Sequence, residues 1–532
     1  MEAAEALGRG SLSTYREAIG ELARSRSRTF WIVAGLTLGA AALRFATLGV
    51  QSYHHDEIVT ATRILPGGFG QAMEAVGSSE SAPPLYYALA WLWTQLTGTG
   101  EFGLRSLSAL AGAATVPVAY FLATQLTTPP PTGRNPDYGS GFRPVGRNRV
   151  GIAAAALVAV NPMLLWYSQE ARAYALFALL TALSALYFVR ALDRGTRRDF
   201  VLWGVFSALA LASHYFAAFP IAAEAIWLLY RRRRETVPGL AIVAGVGLLL
   251  APLAVHQMSI GHAEWIGNFS LGHRLWETGL TFMLGETGDI IARPEHPLLA
   301  LVPCLLAVAA LVLVFSRGER RERRAAAIPL ALAATTVAVP VFLGLLAPAK
   351  DYVLARNLLP ALVPVLVALA VGFTVRRAGR AGVVLCAALV AYSLGFSVWA
   401  SISPALQRPD WDAVATDLGE PTVPRAMVAW TLGEASLRYY LSTGGFQVQP
   451  SEGFDWQVGE IDFVSDGPAP PPPSRLLGPG FRQVGYEKAG RLYLRRFATP
   501  GPGLRPLRLG IVRDAGLGFR TNGVLLDGIG PP

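Results

Sequence analysis

Long apolar runs separated by short arginine clusters dictate what this chain can fold into. Residues 29–49, 103–126, 150–166, 173–190, 200–230, 236–255, 297–316, 326–347, 353–375 and 381–400 are almost free of charge. A membrane-spanning helix needs about 20 apolar residues at ~1.5 Å rise each, and these runs supply that length. Only 15% of the 532 residues are charged, where a soluble domain carries about 25%, and the mean hydropathy is +0.39. The pattern is that of a multi-pass helical membrane protein, because helices satisfy their own backbone groups in lipid.

The arginines set the orientation. Arg24, Arg26 and Arg28 precede the first run, and later clusters stand at Arg190–Arg198, Arg231–Arg234, Arg317–Arg324 and Arg376–Arg380. Positive charge collects on the cytoplasmic side, so residues 1–28 are expected to be cytoplasmic. Leu85–Leu96 is too short for a relaxed span and rich in Trp and Tyr, which places it in the interface outside. Residues 200–230 are basic at both ends and read as a hairpin turning at Ser213-His214-Tyr215. With these choices every basic cluster falls on one side, and the map has eleven spans over residues 29–400. The first external loop is 50–102, and residues 401–532 lie outside. The loops at 53–57, 83–87, 167–172, 213–215, 256–296 and 350–356 then share the outer face.

The formal net charge of +10 is explained by these cytoplasmic loops. No basic helix carries interleaved aromatics for base stacking, so no nucleic-acid partner is expected. Cys304 and Cys386 lie inside apolar runs and read as buried thiols. Residues 401–532 are richer in Pro, Gly and charge. Ala426–Trp430, Glu460–Val464, Phe481–Val484 and Leu492–Arg496 read as strands and Glu434–Leu441 as a helix, giving a small external α/β domain. Pro468–Pro473 reads as a stiff loop, and the last stretch, rich in Gly and Pro, suggests no fold. A Gly-rich phosphate loop with Lys-Ser/Thr is absent, which argues against nucleotide hydrolysis.

Six polar motifs occur in order: His54-His55-Asp56-Glu57, Pro83-Pro84-Leu85-Tyr86-Tyr87, Ser168-Gln169-Glu170-Ala171-Arg172-Ala173-Tyr174, Ser213-His214-Tyr215-Phe216, Leu354-Ala355-Arg356-Asn357-Leu358-Leu359-Pro360 and Pro409-Asp410-Trp411. Over roughly residues 29–425 this set resembles bacterial members of the dolichyl-phosphate-mannose protein mannosyltransferase family. These are C-type (GT-C) membrane glycosyltransferases related to the aminoarabinose transferase of lipid A. The chain departs from the family at Ala82, where His is common before the Pro pair, and at Asn357, where Tyr is common after Arg.

The resemblance implies an all-α polytopic membrane domain of about eleven helices with a small C-terminal external α/β domain. It implies a polyprenyl-phosphate sugar donor and transfer with inversion, on the outer face of the plasma membrane, to a glycan, lipid or protein hydroxyl. Such transfer needs a base for the acceptor proton and cations for the leaving phosphate. The family's loop acid falls on Asp56, the candidate base, with Glu57 orienting it or holding the acceptor; Asp56 capping the helix that follows is the bland alternative. His54, His55 and Tyr87 are candidate acceptor contacts. The two histidines with Asp56 form an alternative metal site, but neighbouring side chains diverge, so no metal or other cofactor is expected. Arg172 is expected to face the donor phosphate with Glu170 beside it, unless the two simply pair with each other. His214 and Tyr215 are candidate contacts to the donor head group. Lys350 and Arg356 are the expected phosphate clamps, since a planar guanidinium suits a phosphate bidentately. Loop 256–296, with Trp265, Arg274 and Trp276, either closes over an acceptor or lies on the membrane. The competing function is a transporter or flippase of a lipid-linked glycan, which would place polar groups at mid-bilayer in two related halves.

Overall fold

A computed structural model describes residues 27–128, 147–261, 264–287, 297–347, 351–441, 446–448, 456–468, 477, 480–501, 503–507 and 522–528. Every apolar run read from the sequence is helical. Helix α1 spans 27–45. Three short helices follow in the first loop: α2 (His55–Val59), α3 (Phe69–Ser79) and α4 (Leu85–Thr97). The bundle continues with α5 (Glu101–Thr127), α6 (Arg147–Val160), α7 (Pro162–Ser168), α8 (Tyr174–Arg194), α9 (Arg197–Ser213), α10 (Ala218–Arg232) and α11 (Val237–Ile260). It closes with α12 (Leu271–Leu284), α13 (Pro297–Arg317), α14 (Arg320–Leu346), α15 (Leu362–Phe373) and α16 (Gly379–Ile402).

Among the described residues seven helices are long and apolar enough to cross a membrane, or eight if the bent pair α6–α7 is one span. The expected eleven therefore includes segments that fall short. Helix α9 has only 17 residues, and α1 carries Arg28 and Arg44. The run Tyr215–Ile260 is broken at Arg233, which takes a φ of 48°. Helix α10 packs on α8 and α14, whereas α11 packs on α9. The hairpin expected over 200–230 is present: Trp203 of α9 and Ser184 of α8 both donate to the buried Glu224 of α10, at 2.8 and 2.5 Å.

Helix α15 is apolar all round and buried on nearly every side, so it forms the centre of the bundle against α6, α13 and α14. Helices α11, α13 and α16 keep apolar faces exposed, as suits a lipid-facing periphery. The arginine clusters gather at one end. Arg321 Nη2 donates to the Thr127 carbonyl at 2.8 Å, Arg232 Nε to Leu192 at 3.1 Å, and the Arg376 amide to Glu322 at 2.9 Å.

The break between α6 and α7 has a local cause. Pro162 has no N–H for the carbonyl of Val158, and the two helices meet at 56°. Arg44, fully buried, supplies the missing donors to Val158 at 3.4 Å, Ala159 at 2.9 Å and Ser168 Oγ at 3.0 Å. A charge inside an apolar run thus repairs a broken helix.

After α16 the chain forms α17 (Trp411–Leu418), β1 (Arg425–Trp430), α18 (Thr431–Tyr440), β2 (Phe446–Val448), β3 (Trp456–Val458), β4 (Glu460–Asp466), β5 (Arg482–Ala489), β6 (Leu492–Ala498), β7 (Arg505–Leu507) and β8 (Asn522–Asp527). The main sheet has the order β2-β8-β1-β4-β6-β5, with β1 and β4 parallel, and β3 pairs with β7 apart from it. The strands and helix read from the sequence are all present. Strand β8 is a correction, because the stretch without an expected fold supplies an interior strand beside β1. Arg425 Nη2 meets Asp527 Oδ2 there at 2.7 Å in a buried ion pair. Residues 469–473 of the proline loop lie outside the described residues.

Helices α9 and α11 approach closely because both present glycine. A Cβ on Gly204 would sit 2.5 Å from the Gly239 carbonyl oxygen, and one on Gly239 2.4 Å from that of Phe200. Gly204→Leu is expected to cost about 1–3 kcal/mol or more through overpacking, read as a lowered melting temperature in detergent. An unchanged melting curve would contradict this packing.

Candidate functional site

Two adjacent carboxylates at the start of α2 have opposite environments. Glu57 is wholly buried. It accepts from Arg105 Nε and Nη2, both at 2.8 Å, from the Ala171 amide at 2.8 Å and from the His54 amide at 2.9 Å. Burial pushes its carboxyl up, but Arg105, with help from Arg408 and the Ala171 amide, holds it at about 2. Glu57 therefore ties the first loop to α5 and to the turn before α8, and it does not line the cavity. It also bonds the N-cap amide of α2, so the capping role, the alternative for Asp56, belongs to Glu57.

Asp56 turns the other way, because consecutive side chains in a helical turn diverge by about 100°. Its Oδ2 lies 3.2 Å from Arg356 Nη1, its Oδ1 3.4 Å from His55 Nε2, and its carbonyl 3.5 Å from Arg172 Nη1. Burial opposes its charge, yet His55, Arg172 and Arg356 outweigh that and hold the carboxyl well below the usual range. The group is ionised and faces a cavity of about 450 Å³.

Arg356 heads a 3-10 turn, Ala355–Ala361, that leads into α15. Its guanidinium lies 5.9 Å from the Tyr174 ring and 5.6 Å from the Trp265 ring. Trp265 comes from the loop after α11, while Arg274 of α12 braces the neighbouring segment by bonding Asp351 at 3.1 Å and the Val353 carbonyl at 2.6 Å. The described part of loop 256–296 thus supplies one aromatic wall of the cavity and a helix on which Trp276 is exposed.

The pairing of Arg172 with Glu170 is the part corrected: Arg172 pairs bidentately with Glu80, at 2.7 Å for both bonds. Its guanidinium lies over the Tyr87 ring at 5.7 Å, and all three residues line the cavity. Glu170 is buried away from it and meets Arg408 Nη2 at 3.2 Å. Burial pushes the Glu170 carboxyl up to about 7, against the pull of Arg408 and with the push of Glu57 and Asp56.

His214 and Tyr215 do line the cavity. The His214 ring stacks on Phe177 at 4.4 Å, and its Nδ1 accepts from the Phe216 amide at 3.3 Å. Burial first, then Arg356 and Arg172, pull His214 down to about 3, so it is a neutral ring. Tyr215 donates to Gln257 at 2.8 Å, and Gln257 in turn donates to the carbonyls of Val76 and Ala82 at 2.9 and 3.1 Å. His54 and His55 stand behind Asp56 with ring centroids 3.8 Å apart, outside the cavity wall. Lys350 lies outside the described residues.

His54, His55 and Asp56 offer one ligand atom each within 4.8 Å of one another, a group able to hold a metal ion. The same carboxylate already meets Arg356, and Arg172 is close, so a dication would have to compete with two guanidinium groups. What the cavity offers chemically is an ionised carboxylate beside a guanidinium, with a paired Arg172–Glu80 wall and neutral hydrogen-bonding groups around them. Sequence reasoning passed over Glu80 and Gln257, whose partners are distant in the chain. A lone acid two residues before Ala82-Pro83-Pro84 was the available signal for Glu80.

Residues 82–237 match the family described as Protein O-mannosyl-transferase TMEM260 N-terminal domain, which bears out the resemblance read from the motifs. No curated protein matches the sequence significantly. Among solved structures, the apo oligosaccharyltransferase of Archaeoglobus fulgidus aligns at a TM-score of 0.43 and 12% identity over 78% of this chain and 60% of that one. The chain thus spans about 60% of the length of that protein. ArnT from Cupriavidus metallidurans aligns in its apo state at a TM-score of 0.35 and 13% identity, over 88% of this chain and 98% of that one. Its undecaprenyl phosphate complex aligns at 0.34 and 14% over the same shares.

The buried Glu57–Arg105 pair makes a sharp expectation. Glu57→Gln or Arg105→Met leaves one charge buried without its partner and should cost about 3–5 kcal/mol in a detergent unfolding measurement. Wild-type stability in both variants would contradict the role given to the pair.

Proposed function

We propose that this protein is a membrane glycosyltransferase that moves a sugar from a polyprenyl-phosphate donor to an acceptor hydroxyl, with inversion. The observation that carries the reading is Asp56 beside Arg356, in a cavity with room for a phosphosugar. The match over residues 82–237 supports the reaction class.

In this reading the donor phosphate enters against Arg356 and draws it away from Asp56. The acceptor hydroxyl approaches C1 of the sugar from the face opposite the phosphate, and Asp56 takes its proton. The new C1–O bond forms as the C1–O bond to phosphate breaks. The electron pair leaves with the polyprenyl phosphate, whose added negative charge Arg356 stabilises. Arg172 is held in place by Glu80, so it contributes field more than direct ligation. His214, Tyr215 and Gln257 are placed to read sugar hydroxyls, and Tyr87 to bound the acceptor side. Leu211, Ala254, Met258 and Ile266 give the cavity an apolar flank suited to a prenyl chain. The guanidinium groups supply the positive charge, so the reaction is read as metal-independent.

The external face of the plasma membrane is supported by position. The arginine clusters share one end of the bundle, and the cavity is built from the ends remote from them. The same grouping disfavours a transporter, whose polar site would lie at mid-bilayer. The N-terminus is then cytoplasmic and the sheet extracytoplasmic.

Two measurements test the reading. Purified protein is offered a panel of synthetic undecaprenyl-phosphate hexoses and pentoses, with membranes from cells lacking the protein as acceptor. Asp56→Asn should lower turnover by about 10²-fold or more, the usual share of a general base, while folding and inserting normally. Wild-type turnover in that variant removes Asp56 as base, and no transfer by the wild type from any donor removes the reaction. The second measurement is the pH profile of kcat/KM. Because the cations hold Asp56 low, it stays ionised as pH falls, and its acid limb should lie below the ordinary carboxylate range. Arg356→Gln removes one lowering charge, so the acid limb should move upward; a limb that stays in place would contradict the coupling.

A further inference from the structure

Three consecutive residues of the first loop are bonded to the chain that follows the last apolar helix. Gln51 Oε1 accepts from the Arg408 amide at 3.3 Å and from its Nη1 at 3.4 Å. Ser52 Oγ donates to Asp410 Oδ1 at 3.0 Å and accepts from the Asp412 amide at 3.1 Å. The Tyr53 amide donates to the Tyr440 hydroxyl at 2.6 Å, and that hydroxyl donates to Glu101 at 2.6 Å. Asp56 follows three residues later, in the first turn of α2.

Arg408 reaches deeper. It is buried, with its guanidinium 4.4 Å over the Trp166 ring, Nη2 3.2 Å from Glu170 and Nε 3.9 Å from Glu57. It therefore stands between the two acids that flank the site on the chain side, where either would be costly to bury alone. Helix α18 packs on α2, and Tyr440 joins the apolar cluster of Tyr53, Ile58, Tyr86 and Tyr87. Among the described residues, in contrast, none beyond Asn357 lines the cavity. The described residues of the C-terminal segment touch the loop that carries the carboxylate and not the space in front of it.

We propose that residues 408–440 form a clamp that sets the position of Asp56, with Arg408 and Tyr440 as positioning residues. This rests on the reading of Asp56 as the base. A reacting group must be held to about 0.5 Å, and a misplacement near 1 Å can cost about 10²-fold. Three bonded residues upstream of a short helix meet that requirement where the loop alone would not. The small external domain is then part of the catalytic apparatus, although it contributes no group to the reacting atoms.

Tyr440→Phe deletes one hydroxyl and keeps the ring, Arg408→Gln deletes the charge, and Arg408→Lys keeps it. Each is measured with the panel donor that the wild type turns over fastest, and by hydrogen exchange over residues 51–58. Tyr440→Phe and Arg408→Gln should lower kcat by about tenfold or more with little change in donor KM, since geometry and not binding is lost. Exchange should rise in 51–58 in both variants; the melting temperature should fall little in Tyr440→Phe and more in Arg408→Gln, which leaves Glu170 without its partner, and Arg408→Lys should recover part of kcat. Unchanged kcat in either variant, or a loss of kcat that tracks a general loss of stability without a local rise in exchange, overturns the clamp. Asp56→Asn separates the two claims. If it is inactive while Tyr440→Phe is normal, only the clamp falls; if it keeps wild-type turnover, the base reading falls first.

Discussion

The buried carboxylate of Glu57 holds together the end of the bundle remote from the arginine clusters. Four donors converge on it, from α5, from the turn before α8 and from its own helix start. Such an arrangement is expensive unless every partner is present, because a buried ion without its counter-charge is worth several kcal/mol of destabilisation. With all of them present, the first loop has little freedom. The neighbouring Asp56 then projects the other way, into the cavity, because consecutive side chains of a helical turn diverge. One acid of the pair is committed to structure so that the other can remain available.

The cavity itself is nearly balanced in charge. Arg172 answers Glu80 and Arg356 answers Asp56. The two pairs are not equivalent. Arg172 is locked bidentately, whereas Arg356 makes one longer contact and is flanked by aromatic faces. An arriving anion therefore finds Arg356 the easier guanidinium to recruit. Taking it away weakens the field that keeps Asp56 a poor proton acceptor. In the proposed reaction, donor binding and activation of Asp56 are the same electrostatic event.

Much of the fold was legible because lipid-spanning helices announce themselves by length and composition. The end of the bundle at which Asp56, Tyr87, Arg172, His214, Tyr215 and Arg356 meet was legible from arginine placement. What escaped was pairing. Arg172 stands two residues from Glu170, yet it bonds Glu80, and Glu170 bonds Arg408 from the far end of the chain. Spacing along a chain carries no information about such partners. Arg44 and Arg105 were visible as charges within or at the edge of apolar runs, a signal that a buried partner must exist without saying which. Strand β8 was hidden for another reason: its short run sits among Gly and Pro, and only pairing with β1 and β2 makes it a strand.

The Asp56–Arg356 contact is expected to give way to the donor phosphate. A structure of the protein with undecaprenyl phosphate bound, determined by electron microscopy in lipid nanodiscs, tests it directly. The account predicts phosphate oxygens within hydrogen-bonding reach of Arg356, with that guanidinium drawn off the Asp56 carboxylate and Glu80 still on Arg172. Phosphate bound elsewhere, with the Asp56–Arg356 contact intact, would contradict it.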